Sequence, residues 1–267
     1  METKTLKDQG YNLPLGLLKD GSLRKPFTFK PYTMAEDKAI ARRIDSFGDG
    51  APESVKVSFV LSELLINLGG EDVSELEQGK RDLKVFGLGF GDIMYAYLMA
   101  RVESLGPEVR FPSVCPWCEQ AFTFDGDLLS VEVLTTEDPT ELTRVVDLSV
   151  PWKVRGISAT RVLLRPTPWG ICHGKSVTPA EFQAQMYQGA IIGVDDKDPG
   201  SEDPITEIAM SPLDIDTLPK RLVNELDGAV NDLNGGPRLR LTTKCPHDGC
   251  GRPVTRPLPW GFDSFFG

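Results

Sequence analysis

Four of the five cysteines fall into two pairs, Cys115-Pro116-Trp117-Cys118 and Cys245-Pro246-His247-Asp248-Gly249-Cys250. A Cys-x2-Cys pair closes a tight turn that sets two thiolates on one side of a metal ion, and two such turns supply the four sulfurs of a tetrahedral Zn²⁺ site. The second pair is looser, with four residues between its cysteines. A proline after the first cysteine of each pair, and Gly249 beside Cys250, suit a hairpin knuckle. The separation between the pairs is unusual: Cys118 to Cys245 is 245 − 118 = 127 positions, far beyond a compact zinc ribbon. Either a long stretch of chain is inserted between two knuckles that meet in space, or the pairs work separately as redox or free-thiol sites. A closed site of Cys115, Cys118, Cys245 and Cys250 would be structural, with no open coordination position for catalysis. His247 is a substitute ligand for one cysteine. Cys172-His173 reads as an ordinary turn and not as a ligand set.

Two knuckles need strands to deliver them, and the chain supplies these. Val109 to Phe111 leads into the first pair and Ala121 to Phe124 leads out; Leu239 to Thr242 leads into the second. The rest of the chain is mixed. Thr33-Met34-Ala35-Glu36 is a capping box that opens a helix running to about Phe47. Ser54 is the expected cap of a helix with Val57, Val60, Leu61, Leu64, Leu65 and Leu68 as its buried stripe. Leu83 to Phe90 reads as a short apolar strand, and Asp92 as the N-cap of an apolar helix over 92–105. Gly87-x-Gly89-x-Gly91 superficially resembles a nucleotide loop, but a carboxylate at the helix start would occupy the phosphate position and no Gly-Lys-Ser/Thr follows. Residues 135–144 read as a linker, 145–150 and 160–164 as strands, and Thr178-Pro179 as a helix start. Residues 194–204 read as an acidic surface loop, and Asp216 as the cap of a helix over 217–233.

The expected fold class is therefore α+β: a helical amino-terminal part, two zinc-knuckle β-hairpins brought together, and a mixed β/α region inserted between them. The partition is an extended arm over 1–32, a helical region with the first knuckle over 33–134, a β/α region with the second knuckle over 145–256, and an aromatic tail over 257–267. The arm either packs along its own domain or clasps a neighbour, and the tail either returns to cover the knuckles or docks in a partner; for docking, Phe27 and Phe29 on the arm, and Trp260, Phe262, Phe265 and Phe266 in the tail, are the candidate partner-binding residues.

Net charge of −10 argues against nucleic acid as a partner, because phosphate binding needs clustered Lys and Arg. Cysteines paired as knuckles suit a reducing compartment better than a disulfide framework. No signal-peptide pattern and no apolar run of membrane length occurs, which predicts a cytoplasmic protein without a membrane span. Only two histidines leave little material for general base catalysis. Cys172 beside His173 is the one candidate for a cysteine-dependent enzyme.

Asp92-Ile93-Met94-Tyr95 through Arg101, then Ser104-Leu105-Gly106-Pro107-Glu108-Val109 and Cys115-Pro116-Trp117-Cys118, resemble the baseplate hub-assembly proteins of T-even-type contractile-tailed phages and related contractile injection systems. Phe122-Thr123-Phe124-Asp125-Gly126-Asp127-Leu128, a later helix, a Gly-Pro, a second cysteine pair and a closing Phe-Phe are similar to that family's pattern. The long segments at 135–144 and 194–204, and Cys-x4-Cys where Cys-x2-Cys is common, depart from it. The resemblance implies a non-catalytic, zinc-stabilised structural subunit joining hub and wedge proteins near the end of the tail tube. It further implies several copies per particle, and residence in the assembled tail or injection particle after synthesis in the cytoplasm. A tail-assembly chaperone absent from the mature particle is the alternative within that class.

Overall fold

A computed structural model describes residues 1–48, 50–172, 178–259 and 261. The chain opens with strand β1 (Glu2–Thr5), a single helical turn α1 (Leu6–Gln9) capped by Thr5, and a hairpin of β2 (Asn12–Lys19) and β3 (Ser22–Phe29). Asp20 and Gly21 at the hairpin tip have φ of 51° and 74°, the left-handed backbone that lets a two-residue turn follow the strand twist. Helix α2 (Met34–Phe47) starts where Thr33 and Glu36 close the expected capping box. Helix α3 (Glu53–Leu64) starts from Pro52 and not from a Ser54 cap. Ser54 lies inside the first turn, where its hydroxyl donates to the Cys172 carbonyl at 2.7 Å. The helix passes directly into β4 (Leu65–Leu68), which turns back as β5 (Glu71–Asp72).

The apolar run expected as a strand at 83–90 is the end of helix α4 (Gln78–Phe86), a turn, and the start of α5 (Phe90–Leu105). A run this short fits either period, and the polar turn Gln78–Asp82 before it decides for helix. A hairpin follows, β6 (Glu108–Val114) and β7 (Ala121–Asp127), then a 3-10 turn and β8 (Glu132–Thr135). The segment read as a linker holds a further 3-10 turn at Pro139–Leu142. Strands β9 (Arg144–Val154) and β10 (Ile157–Leu164) form a second long hairpin. Helix α6 (Pro179–Ala190) opens on the Thr178–Glu181 capping box and passes into β11 (Ile191–Asp195). Helix α7 (Pro212–Asp216) ends at the residue expected to cap the long helix, and α8 (Lys220–Asn234) starts from Pro219. Strands β12 (Gly236–Pro237), β13 (Arg240–Lys244) and β14 (Pro253–Pro257) complete the described chain.

All the sheets are small and antiparallel: β2-β3-β4-β5, β1-β8-β12, β11-β10-β9, and the hairpins β6-β7 and β13-β14. The chain is thus mixed α+β, as its alternation of helical and extended patterns predicts. One hydrophobic core gathers Leu6, Leu13 and Phe27, the α3 stripe of Val57, Val60, Leu61 and Leu64, and Ile93 to Ala100 of α5. Helix α5 is buried on all sides, so its sequence is apolar throughout rather than striped. A second core, with Trp152, Val162, Ile191, Leu222 and Leu226, packs the β9–β11 sheet against α6 and α8.

Residues 1–32 pack along the protein's own body as extended strands. Strand β3 lies between β2 and β4, with one face on α5, and β1 is paired with β8. Phe27 is fully buried and meets Tyr11 and Tyr95 edge-on, at 5.8 and 6.1 Å between ring centroids. Phe29 is half-buried against the same core. An interior strand turns its alternate side chains into the core, so neither phenylalanine is a docking anchor. Trp260, Phe262, Phe265 and Phe266, like His173, lie outside the described residues.

The triple-glycine run has a packing explanation. A Cβ on Gly91 would lie 2.0 Å from the Asn234 carbonyl oxygen, and one on Gly236 would lie 2.5 Å from the Gly91 Cα. Glycine at 91 therefore lets the first turn of α5 touch the backbone that leaves α8. Asp92 is not the N-cap, a position held by Gly89. Its buried carboxylate accepts from the Leu15 and Gly16 amides, the former at 2.8 Å, and so ties α5 to β2.

Candidate metal centre

Each cysteine pair sits at the tip of a hairpin. Strand β6 ends at Val114, and the chain turns through Cys115–Cys118 into β7. The Cys115 amide donates to Gln120 O at 3.0 Å and the Glu119 amide to Cys115 O at 2.9 Å. Glu119 takes the left-handed backbone, φ 57°, that lets a turn this tight close. In the second hairpin the Cys245 amide donates to Arg252 O at 2.9 Å and the Cys250 amide to His247 O at 3.1 Å. Gly249 and Gly251 stand at φ 78° and 54°. Gly249, inside the Cys-x4-Cys turn, absorbs the longer spacing and returns the second thiol to the same side as the first, and Gly251 turns the chain toward β14.

The two tips meet. Cys115 Sγ lies 3.8 Å from Cys250 Sγ and Cys118 Sγ lies 3.7 Å from Cys245 Sγ. All four sulfurs are within 4.8 Å of one another. None is in a disulfide, which would need sulfurs ~2.0 Å apart. The edge of a tetrahedron with metal–sulfur bonds of ~2.3 Å is ~3.8 Å, so these separations match four thiolates about one ion. Cys115 and Cys245 are buried while Cys118 and Cys250 are half-buried, so the centre opens on one side toward solvent.

The thiols are not equivalent. Burial opposes ionisation of Cys115, but the backbone N–H groups of Trp117 and Cys118 point at its sulfur and hold it down at about 6. Burial pushes Cys245 up to about 12, against the N–H of His247. One thiolate is thus ready at neutral pH, and an arriving cation would draw the remaining protons off the others.

Side chains join the hairpins independently of any ion. Arg256 of β14 donates to Ser113 Oγ at 3.0 Å and to the Val114 carbonyl. The Trp117 indole N–H donates to Pro253 O at 3.0 Å, and the Arg252 guanidinium lies 5.3 Å from the Trp117 ring centroid. Leu241 packs on Gly126, where a Cβ would stand 2.6 Å from its Cδ1. His247 is no substitute ligand: its Nε2 bonds the Ala121 carbonyl at 3.1 Å and its ring meets Phe122. Sequence reasoning passed over Arg256 and Arg252. Nothing local distinguishes them, because the groups they meet lie more than a hundred positions away in the chain.

Cys172 stands apart from this centre. It is buried, its sulfur lies 3.9 Å from Met186 Sδ, and burial pushes its thiol up to about 12, the reverse of an activated nucleophile.

Comparison of the chain with protein-family models, with curated proteins and with solved structures finds no match. What the fold and site define is a mixed α+β protein in which two distant β-hairpins unite four cysteines into a centre that can hold a metal ion. No helix among the described residues is long and apolar enough to cross a membrane.

Proposed function

We propose that Cys115, Cys118, Cys245 and Cys250 bind one structural Zn²⁺, and that the protein is a non-catalytic baseplate subunit of a contractile phage tail or related injection system, joining hub and wedge proteins. A tetrahedral set of four sulfurs favours zinc, or iron in a sulfur site, over hard cations. Four protein ligands fill such an ion's coordination, which leaves no position for a substrate. The observation that carries the baseplate reading is the continuity of the segment bearing the resemblance. Asp92 to Leu128 is one uninterrupted unit of buried helix, Gly-Pro turn, strand, cysteine turn and strand, in the order the family pattern has it.

Two measurements test this. Elemental analysis of the purified protein is expected to find one zinc per chain, lost in both Cys115→Ser and Cys245→Ser; iron in its place, or no metal, overturns the zinc assignment. Quantitative mass spectrometry of tail or injection particles purified from the producing cells is expected to find the chain at a fixed ratio to sheath and tube proteins. Presence in assembly intermediates but not in finished particles would favour the chaperone alternative, and absence from both would refute the baseplate reading.

A further inference from the structure

The β13–β14 hairpin has one edge closed to further strands and one left open. Leu258 donates to Leu239 O, and Cys245 to Arg252 O, both at 2.9 Å. Antiparallel ladders bond at alternate residues, so with Leu241 opposite Arg256 and Thr243 opposite Val254, these positions face across the hairpin. The outward backbone positions of β14 are then Pro253, Thr255 and Pro257. Two prolines lack the N–H that an incoming strand needs, so that edge is blocked. The outward positions of β13 are Arg240, Thr242 and Lys244. They include no proline, and among the described residues no strand pairs with them; the Arg240 amide donates to Arg238 O at 2.5 Å, so the Arg240 carbonyl and both backbone groups of Thr242 and Lys244 are what the edge offers.

The charge of this edge is opposite to that of the molecule. From Arg238 to Arg256 the chain carries Arg238, Arg240, Lys244, Arg252 and Arg256 against Asp248 alone, within a protein of net charge −10. Arg238, Arg240 and Lys244 are exposed. Arg240 and Lys244 make no ion pair among the described residues, and Arg238 reaches only Asp232, at 3.7 Å. A groove of about 830 Å³ is lined by Arg238, Arg240, Thr242 and Thr255 together with Ser130 and Glu132, its one acidic residue.

We propose that this edge binds an extended acidic segment of a partner protein, added as a third strand beside β13. Alternate residues of a strand recur every ~6.8 Å on both chains, so Asp or Glu at every second position would face Arg240 and Lys244 while its backbone completes the ladder. A nucleic acid fits less well. Its phosphates cannot donate to the outward carbonyls of Arg240 and Thr242, and a long polyanion meets the repulsion of the whole acidic surface. The inference rests on the hairpin alone and holds or fails whatever particle the protein serves in.

Fluorescence polarisation of the metal-replete protein tests it, with a short fluorescein-labelled peptide alternating Thr and Glu as probe. The peptide is expected to bind antiparallel to β13, about tenfold less tightly once every Glu amide is N-methylated, because the charge stays and the donors that face β13 go. Arg240→Glu with Lys244→Glu should weaken binding at least about tenfold while circular dichroism and metal content stay constant. Arg110→Glu with Arg101→Glu, away from β13 and with the same total charge change, should leave it intact. No binding of the Thr-Glu peptide, equal binding of the N-methylated peptide, or displacement of the Thr-Glu peptide by tighter-binding oligothymidylate would each overturn the proposal.

Discussion

Asp92 carries a buried charge that the fold only partly compensates. Burial raises its carboxyl to about 6, against the opposing pull of the Leu15 and Gly16 amides and the more distant Lys25 ammonium. In the unfolded chain the same group titrates near 4. Between these values the folded protein binds more protons than the unfolded one, so this group's contribution falls as pH rises from about 4 to 6 and is level above. Asp92→Asn keeps one acceptor for the two amides and removes the titration. The stability of the wild type relative to Asp92→Asn is therefore expected to fall by roughly 2–3 kcal/mol between pH 4 and pH 7, read from urea midpoints across that range. A pH-independent difference would show that Asp92 titrates normally. One residue earlier, Gly91→Ala would drive a methyl into the Asn234 carbonyl. Backbone cannot swing aside as a side chain does, so the loss should reach roughly 3 kcal/mol or more by chemical denaturation, with the α5–α8 junction displaced.

At the scale of elements, a single cation organises the segment read as a simple acidic loop. Arg161 on β10 is fully buried. It takes both carboxylate oxygens of Asp195 at the end of β11, and the carbonyls of Ser201 and Asp203. The loop lies at the surface as expected, with Asp196, Asp198, Glu202 and Asp203 exposed, while its backbone wraps a guanidinium that presents its donors in a fixed fork. Arg161→Ala leaves Asp195 without its partner and should destabilise by roughly 3–5 kcal/mol in thermal unfolding. Hydrogen exchange should rise first over 195–204; Arg161→Leu with Asp195→Leu is expected to recover part of the stability. Much at this scale was legible in sequence. The Thr33–Glu36 capping box, the Thr178-Pro179 helix start and the strands around both knuckles needed only neighbours a few residues away. Ser54, Asp92 and Asp216 were legible as capping types but misassigned. Ser54 and Asp92 bond across the fold, to Cys172 and β2 respectively, and Asp216 closes a short helix that Ser211 and Pro212 open.

For the whole molecule, the metal centre is the one place where thiols from opposite parts of the chain close on each other. Two separate hydrophobic cores stand without it, whereas the knuckle tips share only a small cluster of Cys115, Cys245 and Val254. Chelation is therefore expected to lower the melting temperature by several degrees, the loss of a ligand that binds only the folded state. Limited proteolysis of the chelated protein should cut first between 246 and 252, leaving β9 to α8 intact. Initial cleavage within 144–234 would show instead that the centre supports the inserted region.

The sequence by itself determined many of the elements and the donor set: the Thr33 and Thr178 helix starts, the knuckle strands, an α+β mixture, and four cysteines of the right kind in two turns. These are local properties, fixed by backbone preference and by side chains close in sequence. That the two turns share one centre across 127 positions, that residues 1–32 pack on their own body instead of reaching a neighbour, and that Gly91 answers to Asn234 were decided by tertiary packing. Contacts between distant segments depend on which surfaces the intervening chain buries, and no short stretch of sequence encodes that.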